Sequence, residues 1–232
     1  MFVLEGLTKT YRSRRGCVDA LRDITLTIES GSYLTITGPS GSGKTTLLLT
    51  LGGLIRLTAG RLHFKDLELS RLSEPKLAEY RSRKVGFVLQ TFNLVPYLSA
   101  LENVMVPMVF NGRTGTSHAE RAMTLLERVD LSARANHLPR ELSVGQQQRV
   151  AIARALANDP EVILADEPTG HLDPSLSREI LSILRQLNEK DGRTVVMVTH
   201  SPAAAREGRH HVHLSDGSLT SEQVAQRFLD LR

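Results

Sequence analysis

Short apolar runs alternate along this chain with stretches of helical periodicity. Four of the runs are rich in Val, Ile or Leu and have the length of strands buried on both faces. They cover residues 33–37, 85–89, 162–165 and 194–198. Because longer segments with helical patterning separate these runs, the sequence predicts an α/β fold with a mostly parallel sheet.

A different pattern appears before the first of these runs and after the last. Residues 21–28 alternate apolar and polar positions, which predicts an antiparallel β edge. Residues 211–219 contain Asp216-Gly217 between two apolar segments, which is typical of a hairpin turn. We therefore expect antiparallel strands beside the parallel sheet.

Helical signals dominate residues 91–144. Ser99 with Glu102, and Ser117 with Glu120, have the spacing of capping boxes, in which a hydroxyl and a carboxylate satisfy two backbone donors. Apolar residues after the second box fall on one predicted helix face, namely Ala119, Ala122, Met123, Leu126 and Val129. The region is therefore predicted to be a helical subdomain.

This subdomain interrupts the chain of a single domain. A chain of 232 residues can bury a good core as one domain. We expect residues 1–90 and 145–232 to form the α/β core and residues 91–144 to be inserted into it. Asp173 before Pro174 predicts the start of another core helix. Its apolar stripe comprises Leu176, Ile180, Ile183, Leu184 and Leu187.

The composition is that of an ordinary globular protein, with 41% hydrophobic and 23% charged residues and a net charge of +4. The single cysteine, Cys17, cannot form an internal disulfide. No apolar run reaches the roughly 18 residues of a membrane-spanning helix, and residues 1–5 do not resemble a signal peptide.

A phosphate-binding pattern follows the first buried strand. Residues 38–45 read G-x-x-x-x-G-K-[ST] between that strand and a helical stretch. Backbone N–H groups would surround phosphate oxygens, Lys44 would contact the β- and γ-phosphates, and Thr45 would ligate Mg²⁺. A glycine-rich turn before a lysine is the alternative, and it does not account for the strand–loop–helix context. The predicted ATP-binding members are Gly38, Pro39, Ser40, Gly41, Ser42, Gly43, Lys44, Thr45 and Thr46.

Two carboxylates end the third buried strand. Asp166 and Glu167 lie at the carboxyl edge, where α/β proteins bind ligands. Adjacent strand residues point to opposite sides, so the two groups have different predicted roles. Asp166 is predicted to hold Mg²⁺, and Glu167 is predicted to act as general base on the attacking water. Two charged residues that merely terminate a strand are the alternative.

Polar residues also end two other predicted strands. His200 follows the strand at 194–198 and is placed to hydrogen-bond the γ-phosphate and orient the water. Gln90 follows the strand at 85–89 and could reach Mg²⁺ or the water through its amide oxygen. Considered alone, a histidine is more often structural, and a bare glutamine is weak evidence. Their positions after strands favour functional roles.

A second anion-binding feature is predicted at a helix start. Ser143 and Gln146 have the spacing of a capping box, and Gly145 keeps this helix N-terminus small. Helix N-termini attract anions. A chain with its own phosphate loop needs a second receptor only if that receptor faces another molecule's nucleotide. An ordinary capped helix remains the alternative from the residues alone.

Residues 142–156 read LSVGQQQRVAIARAL, which resembles the signature segment of ABC transporter ATPases. The phosphate loop, Gln90, Asp166-Glu167 and His200 follow in the order of that family, so the resemblance covers nearly the whole chain. It implies a P-loop NTPase core and subunits that pair head to tail. Each ATP would then lie between one phosphate loop and the other subunit's Ser143, Gly145 and Gln146.

The resemblance implies two further site residues. Tyr11 matches the aromatic residue that stacks on adenine, although a plain strand residue is the alternative. Asp173 matches the loop that crosses between subunits and couples their sites. Residues 100–104 and 165–170 are similar to the branch of lipoprotein-releasing, macrolide-exporting and cell-division ATPases.

Two positions depart from that family pattern. Val144 stands where family members usually carry glycine, and its bulk would lie where a partner's phosphates approach. This predicts weaker ATP-driven dimerisation or slower hydrolysis than glycine would give. His171 replaces the asparagine common in this branch, and the sequence predicts no consequence for it.

The predicted function is ATP hydrolysis that drives a membrane partner in export, lipoprotein extraction or mechanotransmission. The expected partners are a second copy or paralogue and an integral membrane subunit, at the cytoplasmic face of the cell membrane. A regulatory ATPase that signals to a membrane partner without transport is one alternative. An ABC ATPase of DNA repair or translation is another, but the charge is modest and no nucleic acid is expected.

Overall fold

The computed structural model describes residues 1–13, 16–110 and 118–224. Its strands are β1 (Phe2–Ser13), β2 (Gly16–Ile28), β3 (Tyr33–Thr37), β4 (Ala59–Phe64), β5 (Leu67–Glu68), β6 (Val85–Val88), β7 (Val162–Asp166), β8 (Thr194–Val198), β9 (His210–Ser215) and β10 (Ser218–Val224). Its helices are α1 (Lys44–Leu51), α2 (Glu74–Lys84), α3 (Ala100–Val109), α4 (His118–Glu127), α5 (Val144–Ala155), α6 (Pro174–Glu189) and α7 (Pro202–Ala205).

The central sheet has the strand order β10-β9-β3-β8-β7-β6. The pairs from β9 through β6 are parallel, and β10 joins β9 as an antiparallel hairpin. All four predicted buried strands therefore lie in this sheet. The hairpin at Asp216-Gly217 is confirmed as well. Because β3, β7 and β8 are parallel neighbours, their carboxyl ends meet at one edge.

Both faces of the central sheet are covered, as its apolar strands predicted. Along β8, Val195 and Met197 belong to one buried cluster, and Val196 and Val198 belong to the other. Side chains alternate between the faces of a strand, so β8 packs against both layers. The first cluster joins the sheet to α3, α4, α5 and α6, and the second joins it to α1, α2 and a second sheet.

This second sheet is antiparallel, with the order β2-β1-β4-β5. The alternating residues 21–28 form part of β2, which is an edge strand as predicted. Phe2 and Phe64 are buried where β1 pairs with β4, and their rings meet edge to face at 5.1 Å. The fold is therefore an α/β core with an antiparallel β layer, as expected.

The three helices α3, α4 and α5 pack against one another. The capping box of Ser99 and Glu102 is confirmed at the start of α3. The predicted box of Ser117 and Glu120 lies partly outside the described residues, because Ser117 is not among them. The division of the chain into a core and a 91–144 subdomain stays a prediction.

The predicted apolar face of α4 is wrong at one position. Ala122 and Leu126 are buried, but Met123 is 37% exposed and Leu125 is buried in its place. A helix turns by about 100° per residue, so Leu125, three positions after Ala122, shares its face better than the adjacent residue does. Within the described part of the chain, no helix combines the length and the apolar character needed to span a membrane.

Candidate functional site

The phosphate loop connects β3 to α1 in a conformation that needs glycine. Gly38 and Gly43 have φ angles of 147° and 100°. A Cβ added at Gly38 would lie 2.0 Å from the carbonyl oxygen of Leu214, and one added at Gly43 would lie 2.1 Å from that of Ala20. Both glycines are therefore required by positive φ and by the close approach of β9 and β2.

Lys44 lies folded over this loop. Its ammonium group donates to the carbonyl oxygens of Gly38 at 2.8 Å and Pro39 at 2.7 Å, and the residue is 8% exposed. The buried hydroxyl of Ser42 has no hydrogen-bond partner among the described residues. A cation held at the loop and an unpaired hydroxyl fit a ligand rich in anionic oxygens, such as a phosphate chain. Thr46 lies in the first turn of α1.

Asp166 and Thr45 bring the end of β7 to the start of α1. The Thr45 hydroxyl donates to Asp166 Oδ1 at 3.2 Å. Burial raises the pKa of the Asp166 carboxyl, the bond from Thr45 lowers it, and the nearby Glu167 charge raises it again. A hydroxyl and a carboxylate are the hard oxygen donors that Mg²⁺ prefers, usually together with substrate phosphates and water. These two residues fit a magnesium ion.

The raised pKa leads to a stability prediction for Asp166→Asn. At neutral pH the native chain holds a partly buried carboxylate, which asparagine replaces without charge while keeping an acceptor for Thr45. We expect the variant to melt at a higher temperature without nucleotide, by less than the roughly 2–4 °C that 1 kcal/mol gives for a chain of this size, because solvent screens this partly exposed group. Thermal melting followed by circular dichroism measures the shift.

The pH dependence of this difference follows from the sign of the pKa shift. A carboxyl with a raised pKa in the folded state binds its proton more tightly there than in the unfolded chain. The native chain therefore gains stability as pH falls through that pKa. The difference by which its melting temperature lies below that of Asp166→Asn should then shrink. A difference that grows with falling pH would contradict the prediction. Asp19→Asn, an exposed aspartate, is the control.

Glu167 and His200 lie at the ends of neighbouring strands β7 and β8. Glu167 Oε1 is 2.7 Å from His200 Nδ1, and the two side chains are 12% and 69% exposed. The Glu167 N–H donates to the carbonyl of Val198 at 2.9 Å, and its φ angle is 45°. A non-glycine residue in this left-handed region is uncommon and is found often at functional sites. The structure therefore joins the predicted base and the predicted histidine directly.

Gln90 lies two residues beyond β6, beside the loop that follows Glu167. Its Nε2 is 3.5 Å from Nε2 of His171, and a Cβ added at Gly170 would lie 3.3 Å from the same amide nitrogen. The sequence predicted no role for His171. The structure places its ring against Gln90, so this departure from the family pattern lies at a predicted site residue.

The capping box at the start of α5 is confirmed. Ser143 Oγ accepts from the backbone of Gln146 at 3.3 Å, and Gln146 Oε1 accepts from the backbone of Ser143 at 2.9 Å. Val144 is 44% exposed. A Cβ added at Gly145 would lie 2.9 Å from Cδ2 of Leu176, so packing inside the chain also favours glycine there. This helix start is exposed at Ser143 and Val144 and packed at Gly145.

Tyr11 lies in β1, and Asp173 lies directly before α6. Tyr11 is 42% exposed, pairs with Val18 of β2, and has the Lys9 ammonium 4.9 Å from its ring centre. Two residues beyond Val18, Ala20 approaches Gly43, so β2 links this hairpin to the phosphate loop. Asp173 is the N-cap of α6, and its Oδ1 accepts from two backbone N–H groups at 2.8 and 3.0 Å.

The arrangement of loop, carboxylates and capped helix is matched by a known family. The family profile described as ABC transporter matches residues 21–170, which is more than half of the chain. The chain belongs to the ABC transporter family. It is an ATP-binding protein and an ATPase of that family, as the phosphate loop and the carboxylate pair predicted.

Individual relatives extend the similarity to almost every residue. An uncharacterized ABC transporter ATP-binding protein, MJ0796, from Methanocaldococcus jannaschii is 45% identical over 99% of this chain and 100% of its own. A lipoprotein-releasing system ATP-binding protein, LolD, from Syntrophus aciditrophicus is 43% identical over 95% of this chain and 99% of its own. The macrolide export ATP-binding/permease protein MacB of Rhodopirellula baltica is 47% identical over 98% of this chain, which spans only 33% of that relative.

A solved structure shares the fold. The dimeric post-hydrolysis structure of the ATP-binding cassette MJ0796, bound to ADP and Pi, has a TM-score of 0.92 and 44% identity. The similarity covers 98% of this chain and 100% of that one. The predicted ABC ATPase fold is therefore confirmed.

One buried and one partly buried polar residue of α5 were not identified from the sequence. Gln148 is fully buried, and its Nε2 donates to the carbonyl of Pro168 at 2.7 Å. The Arg154 guanidinium donates to the carbonyls of Phe92 at 2.7 Å and Asn93 at 2.6 Å, just after Gln90, and burial lowers its pKa. Gln148 lies three or four positions from Gly145, Ala151 and Ile152, which places it on the apolar face of α5. A polar residue on an apolar helix face is the sequence signal from which a buried role for Gln148 could have been predicted.

Proposed function

We propose that this ABC ATPase works as a pair of subunits that binds ATP with Mg²⁺ and drives a membrane partner. The observation that carries the proposal is that the chain has two separate features suited to bind phosphate. Lys44, Asp166 and Glu167 belong to the loop and strand ends of the core, whereas the capped N-terminus of α5 presents Ser143 and Val144 to solvent. An exposed anion receptor is useful to a second molecule's nucleotide.

The phosphate loop and Thr45 would hold the substrate. Backbone N–H groups of residues 40–43 would surround phosphate oxygens, and Lys44 would turn from its two loop carbonyls to the β- and γ-phosphates. Thr45 and Asp166 would hold Mg²⁺, with Gln90 as a further oxygen donor. When bound, that ion would supply charge stabilisation at the phosphates. Tyr11 would stack its exposed ring on the adenine.

Glu167 and His200 would carry the hydrolytic step. Glu167 would take a proton from the attacking water at its carboxylate, and His200, 2.7 Å away, would fix the orientation of that carboxylate. The histidine ring is mostly exposed, so it can also turn to hydrogen-bond a γ-phosphate oxygen. The partly buried position of Glu167 restricts competing water.

The proposed partner at the nucleotide is a second copy or a paralogue. Ser143, Gly145 and Gln146 of one subunit would complete the site of the other, with Asp173 between the two sites. The match to a dimeric cassette structure supports this proposal. Val144 is the residue at which the two halves would meet, and its predicted effect on pairing stays a prediction.

The proposed second partner is an integral membrane subunit, which would hold the chain at the cytoplasmic face of the membrane. A cleft of about 390 Å³ lies between the core and α3 and is lined mainly by apolar residues. Phe110 at its rim is 82% exposed, Leu54 is 52% exposed, and Arg154 links the cleft to the segment after Gln90. Much of the MacB relative's length lies outside the match, and its name includes a permease. We propose that a membrane-subunit segment occupies this cleft.

Affinity capture from membranes tests the membrane partner. The tagged full chain is expected to retain a permease-type membrane protein, and Phe110→Asp is expected to lose it because a charge would be buried in the contact. Met123→Asp, at an exposed apolar position of α4, should retain that protein. ATP affinity should be equal in all three. Capture that is equally strong with Phe110→Asp would contradict the proposed docking site.

A further inference from the structure

Gln148 connects the start of α5 to the catalytic loop of the same chain. The residue is fully buried, and its Nε2 donates to the carbonyl of Pro168, the residue directly after Glu167. Its Oε1 has no hydrogen-bond partner among the described residues. An unpaired buried acceptor is unfavourable, and an apolar side chain would avoid it. The contact that this amide makes is the donation to Pro168, so Gln148 acts on the loop through its donor.

The far end of the same loop also rests on α5. Gly145 packs so closely against Leu176, in the first turn of α6, that an added Cβ would lie 2.9 Å from its side chain. Between these contacts, Gly170 N–H donates to the Glu167 carbonyl at 3.0 Å, and Leu172 N–H donates to the Thr169 carbonyl at 3.2 Å. These two turns keep residues 168–173 compact. The first turns of α5 therefore hold the loop at both ends.

We propose that Gln148 is a positioning residue that makes the placement of Glu167 depend on the position of α5. This inference rests on the proposed pairing, in which the N-terminus of α5 meets the nucleotide held by the other subunit. A shift of α5 on meeting that nucleotide would move Pro168 through the Gln148 hydrogen bond and thereby place Glu167. Each subunit would then hydrolyse its own ATP only when its α5 has engaged the ATP of its partner.

A double-mutant cycle between Ser143 and Gln148 tests this connection. Gln148→Met keeps the side-chain length and the apolar packing but removes the donor. We expect it to lower kcat about tenfold, less than the roughly hundredfold loss that a 1 Å misplacement can cause. Ser143→Ala should lower kcat by a similar factor. If both substitutions act through one path, kcat of the double variant should also be only about tenfold lower than the native value. Independent effects would instead multiply to a loss of about a hundredfold in kcat.

Gln147→Met is the matched control, because this neighbouring glutamine donates to Leu142, within its own chain segment, at 3.1 Å. It should leave kcat within about twofold of the native value. When it is combined with Ser143→Ala, the factors by which the two substitutions change kcat should multiply. A Gln148→Met rate equal to that of Gln147→Met would overturn the inference, and so would a hundredfold loss in the double variant. If Ser143→Ala itself has no effect, the proposed pairing fails, which is a separate result.

A structural measurement without nucleotide complements the kinetics. Amide hydrogen exchange at Gly170 and Leu172 is expected to be several-fold faster in Gln148→Met than in Gln147→Met, because the loop loses one attachment. Equal exchange would overturn the proposed attachment. If Gln148→Met does not fold, Leu176→Ala removes the other contact at a partly buried position and takes its place in the same cycle.

Discussion

Glu167→Gln is expected to bind ATP as the native chain does and to hydrolyse it at least about a hundredfold more slowly. The carboxylate is the only proposed general base, and removal of such a group costs about 10²–10⁴ in rate. Glutamine has nearly the same shape and can still hydrogen-bond His200, so the loop and its contact with Val198 should persist. Single-turnover release of phosphate measures the rate, and a fluorescent nucleotide measures binding.

The control for this substitution is Glu127→Gln, at an exposed position of α4. It makes the same chemical change outside the proposed site and should hydrolyse ATP at the native rate. If Glu167→Gln keeps more than about a third of native activity, a base other than Glu167 acts and the proposed role is wrong. If ATP binding is lost as well, the substitution has changed the loop and not only the proton transfer.

Ser143→Asp is expected to abolish ATP-dependent pairing. In the Glu167→Gln background, saturating ATP and Mg²⁺ should convert the chain to a dimer, because binding continues while hydrolysis is blocked. Aspartate is as good an N-cap as serine, so α5 should remain intact. Its negative charge, however, would face the phosphates held by the other subunit, and such a like-charge contact costs several kcal/mol. Light scattering after size separation measures the mass.

The chain contains a matched control for this experiment. Ser99 caps α3 with a capping box that is closed by Glu102, so Ser99→Asp introduces the same charge at a partly buried helix start outside the proposed interface. It should dimerise like its parent. Both variants should bind ATP with affinities within about threefold of the parent, since their phosphate loops are unchanged. A Ser143→Asp dimer that persists at saturating ATP would contradict the head-to-tail arrangement.

Several features followed from local sequence because local chemistry specifies them. Gly38 and Gly43 fit a backbone with positive φ that other residues resist, and Ser143 with Gln146 satisfies the free donors of its own helix. The buried strands were identified within a residue or so from their apolar composition. The family was indicated by the order of these motifs along the chain, and the comparisons confirm it.

Val144 and His171 mark the limit of that reasoning. The exposure of Val144 agrees with the predicted position at a helix start, but its effect on a partner requires a second chain. The contact of His171 with Gln90 joins residues 81 positions apart, which no local pattern specifies. Likewise, Met123 was assigned to a buried face because periodicity gives the direction of a helix face only approximately.

The sequence by itself determined the family, the four buried strands, the phosphate loop and the capped start of α5. Each depends on residues close together in the chain, so their spacing carries the information. Only the tertiary structure decided that Glu167 contacts His200, that Thr45 contacts Asp166, and that Gln148 holds Pro168. These pairs are set by strand register and helix packing across long sequence separations, and such packing is a property of the whole fold.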